Sequence, residues 1–162
     1  MSFRKKTGTS EVSGDFSKLN NIITNLAKGA NVKIGIFGGA VSNEGGATVA
    51  FIGSVHEFGY PEGNIPIRSF LKMPIEKKSK NIEKAAQKAV KDKIGDGNVI
   101  GILKIIGIAA ENAVQEAFET GGFGTWPELD EKTIKRKKSS AILIDQGELR
   151  KAITSKASVG KK

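Results

Sequence analysis

Between Val99 and about Glu119 the chain carries its most apolar helical face, Ile102, Leu103, Ile106, Ala110, Ala113, Val114 and Ala117. Spacings of three and four residues line these side chains along one side of an α-helix. Such a stripe has to be covered, so the segment predicts a core helix packed across a sheet. The longest apolar-rich run, Val99 to Ala110, is interrupted by Lys104 and is too short to span a bilayer.

The segments around this helix supply the rest of a domain. Phe16, Leu19, Ile22, Ile23 and Leu26 mark a helix face, with Ser13 or Asp15 as cap and Gly29 as its end. Val32 to Phe37 alternates as a half-buried strand. Gly38-Gly39 and Gly45-Gly46 bracket a turn or long hairpin loop. Thr48 to Val55 reads as the returning strand, or as a helix with Ala47, Ala50, Phe51 and Ser54 on one face. Residues 56–69 form an extended loop, longer than a connection alone requires. Pro74 suits a first helical position, and 74–94 reads as one charged helix with Ile75, Ile82, Ala85, Ala86, Ala89 and Ile94 inward. After the break at Asp96-Gly97-Asn98 and the core helix, a Gly-rich stretch leads to Trp126, and Asp130 caps a short basic helix over 131–138. Ala141 to Ile144 and Ala152 to Thr154 read as short strands or extended segments around Gly147.

The expectation is a small single α+β domain over residues 15–155. It has a short, mostly antiparallel sheet packed by two or three helices, with long protruding loops. Residues 1–14 and 156–162 are expected as flexible basic ends. One domain of 162 residues can bury a core of moderate size.

The net charge of +9 is unevenly spread. Residues 1–10 hold three basic and no acidic side chains, and residues 132–162 hold ten basic and two acidic ones. The centre, 11–131, has thirteen basic and fifteen acidic residues and is close to neutral. Basic ends suit a negatively charged partner, or serve solubility alone. There is no cysteine, which excludes disulfides, thiol nucleophiles and thiolate metal sites. The opening Met1-Ser2-Phe3-Arg4-Lys5-Lys6 has no apolar stretch behind it, so no secretory signal is expected. A soluble protein of a reducing compartment follows.

Catalytic patterns are weak. His56-Glu57 invites comparison with zinc proteases, but their helix needs a second His one turn later, and Tyr60 stands there. His56 is the only histidine, and no Gly-x-Ser-x-Gly elbow offers a nucleophile to pair with it. The glycines at 35, 38 and 39 do not form a nucleotide loop: Gly-x-Gly-x-x-Gly would need glycine where Phe37 and Ala40 stand. Glu57, Glu62, Glu128 and Asp130 lie in or beside loops, and nothing singles out a hydrolytic pair. No cofactor and no metal site is expected. The basic run Lys132, Lys135, Arg136, Lys137 and Lys138 could meet phosphates in a nonspecific way, or acidic patches on neighbouring subunits.

Four collinear segments carry a resemblance. They are Ala50 to Gly59, ending His56-Glu57-Phe58-Gly59; Ile65-Pro66-Ile67-Arg68-Ser69-Phe70-Leu71; Gly124-Thr125-Trp126-Pro127-Glu128-Leu129 with Thr133; and Leu143-Ile144-Asp145-Gln146-Gly147-Glu148-Leu149-Arg150 running to Ile153. Together they resemble the tail-completion, or neck, proteins that join heads to tails in long-tailed bacteriophages. Ser69 stands where that pattern expects Pro, Glu128 where it expects Pro or another residue, and Gln146 where Thr is usual, and the lysine-rich tail is not part of the pattern.

The resemblance implies a structural virion protein, not an enzyme. It would form a ring, expected as a hexamer, at the head-proximal end of the tail. Its partners would be further copies of itself, the tail tube or terminator protein, and head-completion or connector proteins. Nonspecific contact with genomic DNA in the lumen is also implied; no membrane is. A tail terminator or collar component is the alternative within the class, and a nonspecific DNA-binding protein the alternative outside it. The residues expected at subunit interfaces are His56, Glu57, Phe58, Tyr60, Pro66, Arg68, Phe70, Leu71, Trp126, Leu129, Asp145, Leu149 and Arg150. Phe58, Tyr60, Phe70 and Trp126 would be apolar anchors for a neighbour, and Arg68 a bidentate partner for its carboxylate.

Overall fold

The computed structural model describes residues 16–42, 46–137, 141–143 and 147–160. The expected N-terminal arm, the caps Ser13 and Asp15, and Lys138 and Asp145 lie outside the described residues. The core helix forms as expected. It is α5, Val99–Glu119, 21 residues and about 30 Å long. Asn98 caps it by accepting the Gly101 amide at 2.8 Å.

Before it come α1 (Phe16–Ala27), β1 (Asn31–Ile36), α2 (Val49–Phe58), α3 (Lys72–Lys77) and α4 (Ser79–Lys93). After it come a four-residue turn α6 (Gly121–Gly124), α7 (Glu131–Lys137), α8 (Glu148–Ala152) and β2 (Ile153–Ser158). β1 and β2 pair antiparallel, from Asn31 opposite Ser158 to Ile36 opposite Ile153. This small two-stranded sheet lies on α5, and several helices complete an α+β domain.

The apolar face of α5 divides the interior in two. Its C-terminal half supplies Val114, Ala117 and Phe118 to a cluster with Phe70, Trp126, Val49, Leu143, Leu149 and Ile153. Its N-terminal half sets Val99 and Leu103 against Ile22, with Val32 and Ala157 beside them. Between the clusters the sheet crosses Gly107. A Cβ there would sit 2.3 Å from Ser155 Oγ and 2.9 Å from Ser155 Cβ. A helix-weakening glycine therefore sits where side chains of the sheet, Ser155 and Val32, press against the helix.

Several expectations are corrected. Val49 to Val55 is helical, not a returning strand; only Thr48 is extended, bridged to Val41. Thr48 Oγ1 accepts the Phe51 amide at 3.2 Å and caps α2. The buried face of α2 is Val49, Gly53 and Glu57, whereas Phe51 and Ser54, on the face that the helical reading marked, are exposed. The charged helix expected over 74–94 is two helices broken at Lys78, and Pro74 is the third residue of α3 rather than the first. Proline is tolerated there because first-turn amides have no partner within the helix. Ile142 and Leu143 lie in a turn, Ile144 lies outside the described residues and Ala152 ends α8, so among the described residues of these C-terminal segments only Ile153 onward is strand. β2 runs to Ser158, past the expected start of a flexible tail at 156. On α1, Ile22 is buried but Ile23 and Leu26 are more than half exposed. No described helix is long and apolar enough to cross a membrane.

The close approach at Gly107 has a measurable consequence. Ala at 107 improves intrinsic helix propensity by about 1 kcal/mol, but displacing the strand should cost about 1–3 kcal/mol. Gly107→Ala is therefore expected to lower the chemical denaturation midpoint, and adding Ser155→Gly to recover part of the loss. A midpoint raised by Gly107→Ala alone would show that the strand yields freely.

Candidate functional site

Three of the conspicuous sequence motifs meet at one joint inside the molecule. α2 ends at Phe58, which places the Glu57 side chain inward, below the segment that enters α3. One carboxylate oxygen of Glu57 accepts the Ser69 hydroxyl at 2.8 Å and the Lys72 amide at 3.1 Å. The other accepts the amides of Phe70 at 2.8 Å and Leu71 at 2.9 Å. Ser69 Oγ in turn accepts the Met73 amide at 3.0 Å. Four donors converge on one buried carboxylate, which caps a helix remote from its own. An anion suits the start of a helix, where amides point outward without partners.

Arg68 locks the next layer. It is 5% exposed, and its own amide donates to the His56 carbonyl at 2.8 Å. Its Nε donates to the Pro127 carbonyl and its Nη2 to the Glu128 carbonyl, both at 2.9 Å. The planar guanidinium thus clamps two successive peptide groups of the third motif. Desolvation by burial pushes its pKa below the ordinary arginine value.

Trp126 closes the joint. Its Nε1 donates to the Ser69 carbonyl at 3.1 Å. Its ring meets Phe118 edge-on at 5.6 Å and 84°, and Phe118 meets Phe70 at 5.6 Å and 52°. The turn α6 makes room for the indole. Gly122 has φ +68°, and a Cβ there would fall 2.3 Å from the Trp126 ring. Only glycine satisfies both demands.

These contacts correct several role assignments. Glu57, Arg68, Phe70 at 1% exposure, Trp126 at 7% and Leu149 are parts of the protein's own interior, not anchors presented to a neighbour. Arg68 is bidentate, but to carbonyls of its own chain rather than to a foreign carboxylate. Leu71 is half-buried against the main core cluster. Arg150 donates to Gln115 and Glu119 of α5, each at 2.5 Å, fastening α8 to the core helix. Lys132 and Lys135 are exposed on α7, which Asp130 caps at 2.8 Å as expected. Arg136 and Lys137 lie on the same helix.

The exposed part of the motifs is the loop between the fixed ends. Tyr60 and Ile65 exchange both backbone hydrogen bonds at 2.9 Å, and Asn64 turns the chain in a left-handed conformation with φ 53°. The loop is a tight hairpin, held at its base by Glu57 and Arg68. It presents Phe58 at 74% exposure, Ile67 at 61% and Tyr60 at 46%, with Pro61 and Pro66 also exposed. Ile67 was not singled out from sequence, although the motif Ile65-Pro66-Ile67 contains it. Beside the hairpin lies a groove of about 1100 Å³. His56, Phe58, Ile65, Ile67, Leu129, Thr133 and Leu149 are among its lining residues, with Glu128, Asp130 and Glu148 supplying carboxylates. Among the described residues no three His, Cys, Asp or Glu side chains are grouped as metal ligands would be.

The joint makes two substitutions informative. Glu57→Gln turns an amide NH2 toward the backbone donors and should destabilise the fold by about 3 kcal/mol. Arg68→Lys keeps the charge but loses the fork, at an expected cost of about 2 kcal/mol. Urea denaturation of both variants measures these losses. Wild-type stability in Glu57→Gln would mean that the capped turn holds without its carboxylate.

Comparisons with models of known families, with curated proteins and with solved structures find no match to this chain.

Proposed function

We propose that the chain is a structural assembly protein of a tailed phage or prophage, acting as a ring in the neck that joins tail to head. The observation that carries this reading is the braced apolar hairpin. Phe58 at the end of α2, and Tyr60 and Ile67 on the loop that follows, stand exposed where the chain is tied to a buried carboxylate and a buried guanidinium. Exposed aromatic side chains on a rigid support suit docking, because little conformational entropy remains to be lost on binding. The four collinear motifs support the same reading.

The motifs divide into two jobs under this proposal. Glu57, Arg68, Ser69, Phe70 and Trp126 hold the hairpin in position, and Phe58, Tyr60 and Ile67 make the contact. The groove beside the hairpin, with apolar side chains and carboxylates among its lining residues, accepts part of a neighbouring subunit or of an adjoining neck protein. A contact between unlike surfaces of successive copies closes a ring when the rotation allows it.

Genetics in the encoding phage or prophage provides the test. A stop codon at Trp126 should leave DNA-filled heads beside separate tails in electron micrographs of the lysate. Phe58→Asp with Ile67→Asp should reproduce that phenotype while the purified variant keeps its circular dichroism spectrum and melting temperature. Overlong tails would instead indicate a terminator. Normal infectious particles from the stop-codon mutant would refute a structural role.

A further inference from the structure

The near-neutral centre of the chain conceals a local excess of positive charge. Residues 72–93 carry eight lysines and three acidic side chains. Some of these lysines are engaged. Lys72 pairs with Glu76 at 3.9 Å, Lys78 with Glu116 at 2.5 Å, and Lys77 and Lys78 lie over the Phe123 ring. Lys80, Lys84, Lys88 and Lys91 are different. They follow one another at four, four and three residues along α4, all are exposed, and none lies within ion-pair distance of a described carboxylate. At 3.6 residues per turn they form one row about 16 Å long. The row points away from Ile82, Ala85 and Ala89, the side of α4 that turns inward against α5.

We infer that the outer face of α4 is a binding surface for the phosphate backbone of duplex nucleic acid. The composition of the face separates this partner from an acidic protein. Asn81 and Gln87 stand beside the lysines as further amide donors, and the one large apolar side chain exposed on α4, Val90 at 40%, lies to one side of the row. Protein interfaces need an apolar core and are depleted in lysine, whereas phosphates require only cations and donors. No aromatic side chain lies on α4, so the face lacks the stacking platforms that single strands use. The acidic residues of the helix, Glu83 and Asp92, flank the row, and Glu83 accepts from Gln87 at 3.2 Å. One cation about every 5 Å, on flexible stems, can follow a strand that presents one charge per about 3.4 Å of helix axis. Such binding reads no sequence. It does not depend on the neck reading and uses neither the hairpin nor the groove.

The test is fluorescence anisotropy of a labelled DNA duplex with the full chain over a series of salt concentrations. Four phosphate contacts predict a log–log salt slope of about −3.6 from this face. Lys80→Gln/Lys84→Gln/Lys88→Gln should make the measured slope shallower by about 2.7 and weaken low-salt binding at least tenfold. The matching arginine triple variant should restore both. Lys33→Gln/Lys104→Gln/Lys151→Gln removes the same charge from other exposed positions and should change the slope by less than one unit. Several outcomes would overturn the inference: no wild-type binding at low salt, equal losses in the two glutamine variants, or a loss caused only by Lys132→Gln/Lys135→Gln on α7. Polyglutamate competing as well as duplex at equal charge would overturn it in favour of an acidic protein partner. Circular dichroism and melting curves, expected to match wild type, establish that each variant is folded.

Discussion

The Glu57 carboxylate is the interaction on which the arrangement of the motifs depends. α3 has only six residues and its N-cap residue, Leu71, offers no side-chain acceptor, so in isolation it would not persist. A carboxylate from the end of α2 collects the donors at its start and sets the path of the chain from Ser69 to Lys72. That path brings the Ser69 carbonyl to Trp126 Nε1 and delivers Phe70 to the aromatic cluster on α5. Arg68 then ties the same segment to Pro127 and Glu128. A buried ionised group without partners would be costly, but this one has its donors arranged around it.

The joint also separates rigidity from exposure. Residues that look like contact anchors in the sequence are used to brace the fold, and the apolar surface left exposed is a short hairpin between them. Phe58 and Tyr60 stand at the end of α2 and the start of the hairpin, close to the bonds that fix its base. A loop braced in this way loses little freedom on docking, which favours a slowly dissociating contact.

Charge is distributed on a different principle. The hairpin and groove combine exposed apolar side chains with carboxylates, while the outer face of α4 offers a row of lysines with a single large apolar side chain, Val90, exposed beside it. The two surfaces suit different chemistry, one desolvated and shape-dependent, the other long-ranged and weakened by salt. Averaging the charge over residues 11–131 hides this contrast, because acidic residues elsewhere in that span offset the lysines of α3 and α4.

Local pattern was legible where one face dominates. The spacing of Ile102, Leu103, Ala110, Val114 and Ala117 determines α5, and the alternation from Val32 determines β1, since each period admits one conformation. α2 was ambiguous because its inward face holds Gly53 and Glu57, residues that no apolar pattern marks. The sequence also determined that Trp126, Arg68 and His56-Glu57 are special positions, but not the direction in which they act. Aromatic and arginine side chains serve equally as external anchors and as internal ties. Only the tertiary structure decided between these, by placing Glu57 beneath the amides of residues 70–72 and the carbonyls of Pro127 and Glu128 beside Arg68. Those partners lie 13 to 60 residues away in the chain. Helical and strand periodicities act over a few residues, whereas a buried polar group is satisfied by whatever the folded chain brings within 3 Å.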